Sequence, residues 1–201
     1  MRLEEALHSR RSIRRFADRQ PPSDLLPDLI AAARTAPAPH HSRPWRFIMI
    51  ESAEKRTALT QEMLRAWRLD LEKDGVAASR IDELAARTRR RLTDAPLLLL
   101  ACLLEERMRR WPDERRRRAE REMYLHSVGA AVQNLMLAAH ARGVASYQMG
   151  SPLFCPEAVR DALGLPDDHD PQTLVALGYP DPSTTPPSRP QASIGDMLGK
   201  C

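Results

Sequence analysis

MYLHSVGAAVQNLMLAAHAR, residues 123–142, carries the dominant helical pattern of the chain. Leu125, Val128, Val132, Leu135 and Ala139 form an apolar stripe at helical spacing. Ala131, Leu137, Ala138 and Ala141 make the opposite side apolar as well. A helix that is apolar all round is buried on both sides. In a chain of 201 residues the second side is expected to pack on another subunit, and Gly129, Ala130 and Ala131 allow close approach. Gly143 is the expected C-terminal stop.

Working outward, Val144–Gln148 reads as a strand, Pro156–Leu163 as a helix stopped by Gly164, and Thr173–Leu177 as a final strand. From Tyr179 the chain carries five prolines, which exclude regular helix there. Toward the N-terminus, Glu105–Glu122 is strongly charged and contains Arg115–Arg118. Leu97–Leu104 is apolar on both faces and reads as a strand buried on both sides of a sheet. Ser79–Thr93 and Ala53–Lys73 read as helices, separated by the breaker Asp74-Gly75. Trp45–Glu51 reads as a strand. Ser23-Asp24 caps a helix over Leu25–Arg34 that Pro37 and Pro39 end, and Leu3–Ser9 is a short helix. Helices and strands alternate without a strict βαβ repeat. The expectation is one α+β domain over residues 1–201, with an extended tail over about 179–201.

The 42% hydrophobic content suffices for one core and is short for two domains. A net charge of +4 and a pI near 9.3 favour anionic partners. No aromatic residues alternate with Arg115–Arg118, so nucleic acid is disfavoured and a solvated helix face is expected. Cys102, Cys155 and Cys201 form no CxxC pair and no metal-ligand spacing; they read as a buried, a loop and a tail thiol. The N-terminal MRLEEALHSRR has no long apolar run, and Pro96–Leu104 is about half a membrane span, so a soluble cytoplasmic protein without a membrane partner is expected.

Two further stretches carry chemistry. Arg10, Ser12 and Arg14 alternate on an extended segment and can converge on one dianion. In Pro37–Pro44, three prolines pre-stiffen a loop that bears His40, His41 and Arg43 and can face a planar ring. Two adjacent histidines without a third ligand disfavour zinc, and no metal is expected. Met149-Gly150 ends a strand where backbone can approach a ring. GxGxxG, GxxxxGK[ST] and GxSxG are all absent, which disfavours a Rossmann dehydrogenase, a P-loop ATPase and a nucleophile-elbow hydrolase. Together the cation cluster and the stiff loop suggest a flavin site with one phosphate cluster.

RRSIRRF (10–16), APAPHHSRPWRF (36–47), GAAVQNLMLAAHARGVASYQMGS (129–151) and ALGYP (176–180) with a late arginine resemble the FMN-dependent nitroreductase family over nearly the whole chain. His41 and Arg43 stand where most members have Asn and Gln. The PAPHH loop, with MLRAWRLDLEKDG (63–75), is most similar to the flavin domain of coenzyme F-420:γ-glutamyl ligases. The resemblance implies an intertwined homodimer of α+β subunits, each with a mixed central sheet flanked by helices, and FMN at the subunit interface. It assigns Arg10, Arg11, Ser12 and Arg14 to the phosphate and ribityl chain, and Pro37, Ala38, Pro39 and His41 to a loop covering the flavin from the other subunit. It assigns Met149 and Gly150 to the ring, and Arg189 to the phosphate from the tail. The implied activity is reduction of dehydro-F-420-0 by reduced FMN. His40, Arg43, Trp67, Arg68 and Asp70 are the expected substrate contacts, with Arg65 as a further cation. No catalytic side chain is nominated, because the flavin carries the hydride. A separate γ-glutamyl ligase is the implied protein partner. The alternatives are a generic NAD(P)H-dependent nitro- or quinone reductase, a non-catalytic F-420 carrier, and a flavin-consuming enzyme of cobamide lower-ligand synthesis.

Overall fold

A computed structural model describes residues 1–186, 188–190 and 192–199; the Cys201 thiol lies outside them. In chain order the elements are α1 (Leu3–Ser9), α2 (Leu25–Ala33), β1 (Trp45–Met49), α3 (Ala53–Lys73), α4 (Ala78–Thr93), β2 (Leu97–Leu104), α5 (Glu114–Ala141), β3 (Ala145–Met149), α6 (Pro156–Leu163) and β4 (His169–Gly178). The four strands form one sheet in the order β1-β2-β4-β3.

β2 shows how the sheet holds two cores. Period-two alternation sends Leu99, Ala101 and Leu103 to one face and Leu98, Leu100 and Cys102 to the other. The first face packs on α2 and α5 through Leu29, Val128, Val132 and Leu135. The second packs on α3, α4 and α6 through Leu59, Met63, Leu92 and Val159. A strand so covered must be apolar on both sides, as its sequence is. Burial, then the Asp170 charge, pushes the Cys102 thiol up to about 12, so it stays protonated within this core.

The sheet expected as mixed is antiparallel in every strand pair of this chain. A parallel contact is made by the isolated bridge Ser12–Ser146. β4 also begins earlier than the apolar run suggests. His169-Asp170-Pro171 precede the strand expected from Thr173, but a register shift opposite Ala101/Cys102 lets Pro171, which has no N–H to donate, enter the ladder.

α5 begins nine residues before its apolar pattern. Asp113 caps it by accepting from the Arg116 N–H at 2.9 Å. Arg116, Arg117 and Arg118 then pair with Asp113, Glu114 and Glu122 one turn away, which supports the charged segment as helix. On the apolar part, Ala131 and Leu135 are both fully buried within the chain itself. The face left outward carries Met123, His126, Gly129 and Ala141, so the small-residue surface is narrower than the sequence implies. No helix among the described residues is long and apolar enough to cross a membrane.

Gly178 joins the sheet to the tail. A Cβ there would lie 2.8 Å from Pro96 and 2.9 Å from Phe16, so only glycine permits this contact. Ala17 N–H donates to Tyr179 O at 2.9 Å, which lays residues 10–17 beside the start of the tail.

Candidate functional site

Residues 10–16 run along the outer edge of β3, where Ile13 N–H donates to Ser146 O at 3.1 Å. The tail returns to this segment, and the Arg189 guanidinium donates to Arg10 O at 2.8 Å. Arg10, Arg11, Ser12, Arg14 and Arg189 thus line one recess of about 210 Å³. Within it, Arg11 turns back onto the carbonyls of His8 (2.9 Å) and Arg10 (3.1 Å).

This recess carries uncompensated positive charge. Among the described residues, no carboxylate lies within ion-pair distance of Arg10, Arg11, Arg14 or Arg189. Burial, then the Arg189 and Arg11 charges, holds the Arg10 guanidinium below its ordinary value. His140, with Nε2 2.7 Å from Ser9 Oγ, is lowered by burial and then by Arg10. Like charges gathered in partial burial destabilise the empty recess and favour an anion in it. Ser146, bridged to Ser12, keeps a buried hydroxyl with no hydrogen-bond partner. A buried polar atom left this way is costly and calls for a ligand or water.

At the C-terminal end of β3 a cavity of about 490 Å³ opens. Tyr147, Met149 and Gly150 form its β3 side, and Trp67 and Asp70 enter from α3. Arg87 and Arg91 of α4 close it, with Phe154 and Cys155 on the following turn. Thr173 Oγ1–H donates to Met149 O at 2.9 Å and fixes the strand end. A Cβ on Gly150 would meet only Leu153 Cδ1, at 3.8 Å, so the glycine leaves room in the cavity rather than relieving a clash. The Arg14 guanidinium lies 4.4 Å from the Tyr147 ring centroid, and that of Arg91 5.6 Å. Cys155 is raised by burial and then by Asp70 and Glu157, which keeps it a thiol and a poor nucleophile.

The structure brings together Arg10, Arg11, Ser12, Arg14 and Arg189, and next to them Met149, Gly150, Trp67 and Asp70. It places the other expected contacts elsewhere. Arg68 is drawn to Asp82 on α4, and Arg65 to Glu62. The loop of Pro37, Ala38, Pro39, His40, His41 and Arg43 precedes β1, at the opposite edge of the sheet from β3. Three strand spacings, about 14 Å, separate those edges. His40, His41 and Arg43 are exposed there and hold φ of 53°, 55° and 46°. Left-handed backbone at three non-glycine residues is strained, at about 1 kcal/mol each. Arg107 holds it by donating to the carbonyls of Ser42 (3.3 Å) and Arg43 (2.8 Å). Sequence reasoning missed Tyr147, Arg87 and Arg91. The i, i+4 spacing of the two arginines, facing a Trp67/Asp70 pair at i, i+3, was the signal available.

Among the described residues no cluster of His, Cys, Asp and Glu could hold a metal. Iodotyrosine deiodinase of Drosophila melanogaster is 28% identical over 98% of this chain and 69% of its own length. Two solved structures share the fold over all of this chain and 99% of theirs, each at 20% identity. They are an FMN and NADPH-dependent nitroreductase from Sphigopyxis sp. strain HMH (TM-score 0.75) and a BluB-like flavoprotein from Clostridium difficile 630 (TM-score 0.77). Residues 7–179 match the profile of the Nitroreductase family, and with that extent of match the chain belongs to it.

Proposed function

We propose that this protein is an FMN-dependent oxidoreductase that acts as a homodimer and reduces dehydro-F-420-0 to F-420-0. One observation carries the flavin reading: four arginines and Ser12 converge on one recess that has no counter-ion among the described residues, beside an apolar cavity of ring size. The residues fit FMN. Arg10, Arg11, Ser12 and Arg189 would hold its phosphate, Arg14 the ribityl chain and ring edge, and Met149 and Gly150 the ring. FMN, once reduced by an external two-electron donor, would supply a hydride from its ring nitrogen, and the chain would supply binding, orientation and exclusion of water.

The dimer reading rests on the sheet edges. The Pro37–Arg43 loop and the β3 edge lie too far apart to form one site in one chain, and a second copy brings the loop of one chain to the β3 edge of the other. The outward face of α5 suits close helix approach. Gly129 lies at its centre, and a Cβ added there would meet no other element of its own chain within 4 Å. Gly129→Arg therefore leaves the subunit core intact and is expected to give a monomer without FMN in sedimentation. A monomer retaining FMN overturns this arrangement.

The deazaflavin substrate is supported by the PAPHH loop and by a cavity that joins aromatic walls to arginines. A separate γ-glutamyl ligase is the partner consistent with it. Heat release of a yellow chromophore that chromatographs as FMN tests the cofactor. Mass spectrometry of reduced protein mixed with dehydro-F-420-0 tests the substrate, with the product two hydrogens heavier. Efficient turnover of quinones and nitroaromatics without any reaction of dehydro-F-420-0 replaces this reading with the generic reductase.

A further inference from the structure

A second hollow, of about 730 Å³, adjoins the apolar cavity. The two share Arg87 and Arg91 as a common wall. The second is lined by Arg14, Arg15, Arg87, Arg90 and Arg91, against Asp94 and Asp181, a surplus of three positive charges. Neither carboxylate lies within ion-pair distance of these arginines, although the Arg15 charge, after the Ser183 hydrogen bonds, helps to hold Asp181 below its ordinary value. Asp181 accepts from Ser183 N–H (2.9 Å) and Ser183 Oγ–H (2.7 Å), and Asp94 accepts from Thr93 Oγ1–H (2.7 Å). Among the described residues none of the five guanidiniums has a carboxylate within 4.0 Å.

Arg87, Arg90 and Arg91 sit at i, i+3 and i+4 on α4, where like charges oppose helix formation. Residues 14 and 15 add two more cations from a separate segment. The fold thus assembles, from two elements, a positive surface in which Arg14 and Arg91 lie over the Tyr147 ring while, among the described residues, none of its arginines has a carboxylate partner. Unpaired guanidiniums in a concave wall offer fork-shaped, charge-assisted hydrogen bonds to phosphate or carboxylate oxygens.

We propose that this arginine hollow is a specificity subsite for the acidic arm of the substrate, whose flat ring stacks on the flavin ring in the adjoining aromatic cavity. The substrate class is a planar aromatic bearing a phosphate or polycarboxylate arm with at least two negative charges. Arg15 and Arg90, which line only the hollow, read the arm; Arg87 and Arg91 stand at the junction of ring and arm. The inference deepens the flavin-enzyme reading and rests on it for the ring's position.

The test is calorimetric binding of 4-nitrophenyl phosphate, a flat ring with a dianion, against neutral 4-nitrobenzyl alcohol, on the protein as purified with its flavin content measured. The native protein is expected to bind the phosphate at least about tenfold more tightly, with the margin shrinking as ionic strength rises. Arg90→Gln should reduce that margin, and Arg15→Gln with Arg90→Gln should abolish it. Affinity for the neutral compound, flavin content and the thermal midpoint are expected to hold, and Arg117→Gln is the charge-matched control. Equal loss of margin in Arg117→Gln, or none in the double variant, overturns the proposal. So does flavin loss in the double variant, which would make the hollow part of the cofactor site. A native protein that cannot take up FMN defeats the flavin reading instead, and the comparison of the two ligands is still read out.

Discussion

Two arginine sets in this protein look alike as strings and differ in the fold. Arg115–Arg118 opens α5, and Arg116, Arg117 and Arg118 each find a carboxylate within one helical turn, while Arg121 reaches Asp170. Arg87, Arg90 and Arg91 on α4 have none among the described residues, and they face Arg14 and Arg15 across a hollow. The first set is a solvated, self-neutralised helix face that extends α5. The second is charge without a counter-ion, as is the neighbouring recess of Arg10, Arg11, Arg14 and Arg189. The number of arginines therefore says little about anion binding; the distance to the nearest carboxylate says more, because a paired guanidinium has already committed its directed hydrogen bonds.

The comparison breaks most visibly if the frame behind the unpaired set is disturbed. Gly178→Val pushes side-chain carbons into Pro96 and Phe16, which already stand 2.8–2.9 Å from a Cβ position. A loss of about 3 kcal/mol in denaturant unfolding is expected, with the flavin released, because Phe16 anchors the segment that bears Arg10–Arg15. Stability unchanged within error would mean that this segment is free to shift.

A second contrast concerns cofactor affinity. Arg14→Ala is expected to weaken FMN by about 1.5–3 kcal/mol, roughly tenfold or more, through loss of a charge-assisted bond. Arg117→Ala, whose partner is Glu114 at 2.8 Å on the surface, is expected to change it by less than about 1 kcal/mol. Fluorescence titration of the apoprotein measures both, and equal effects would erase the distinction between the sets.

The smallest effects should reverse the order for stability. Asp113→Ala removes the α5 cap and the partner of Arg116, for a loss of about 1 kcal/mol. Arg90→Gln relieves repulsion on α4, for no loss or a gain of about 0.3 kcal/mol. Thermal unfolding of the two variants side by side checks the sign; a clear loss from Arg90→Gln would show that this arginine has a structural partner.

Most elements were legible in local pattern. Leu3–Ser9, Ala53–Lys73, Leu97–Leu104 and Pro156–Leu163 form over the residues their periodicity marks. The misses share a cause: the start of α5 and of β4 depend on partners outside an apolar pattern, namely a cap with ion pairs and a bulge around Pro171. The convergence of Arg10, Ser12 and Arg14 on one recess was readable because alternation alone brings them to one side of an extended chain. Arg68 was misplaced because a one-dimensional reading shows its charge and not Asp82, fourteen positions away on the next helix.

By itself the sequence determined the double-sided burial of β2 through spacing, which acts over a few residues, and its motifs carried the resemblance to the family and with it the α+β class. Tertiary structure decided which arginines lack counter-ions, that α4 and not the 65–68 stretch walls the cavity with cations, and that the strained His40–Arg43 loop stands at the far edge of the sheet. Those are questions of distance between segments remote in the chain, and only the strand order, the return of the tail to Arg10 and the packing of α3 and α4 against the sheet set them.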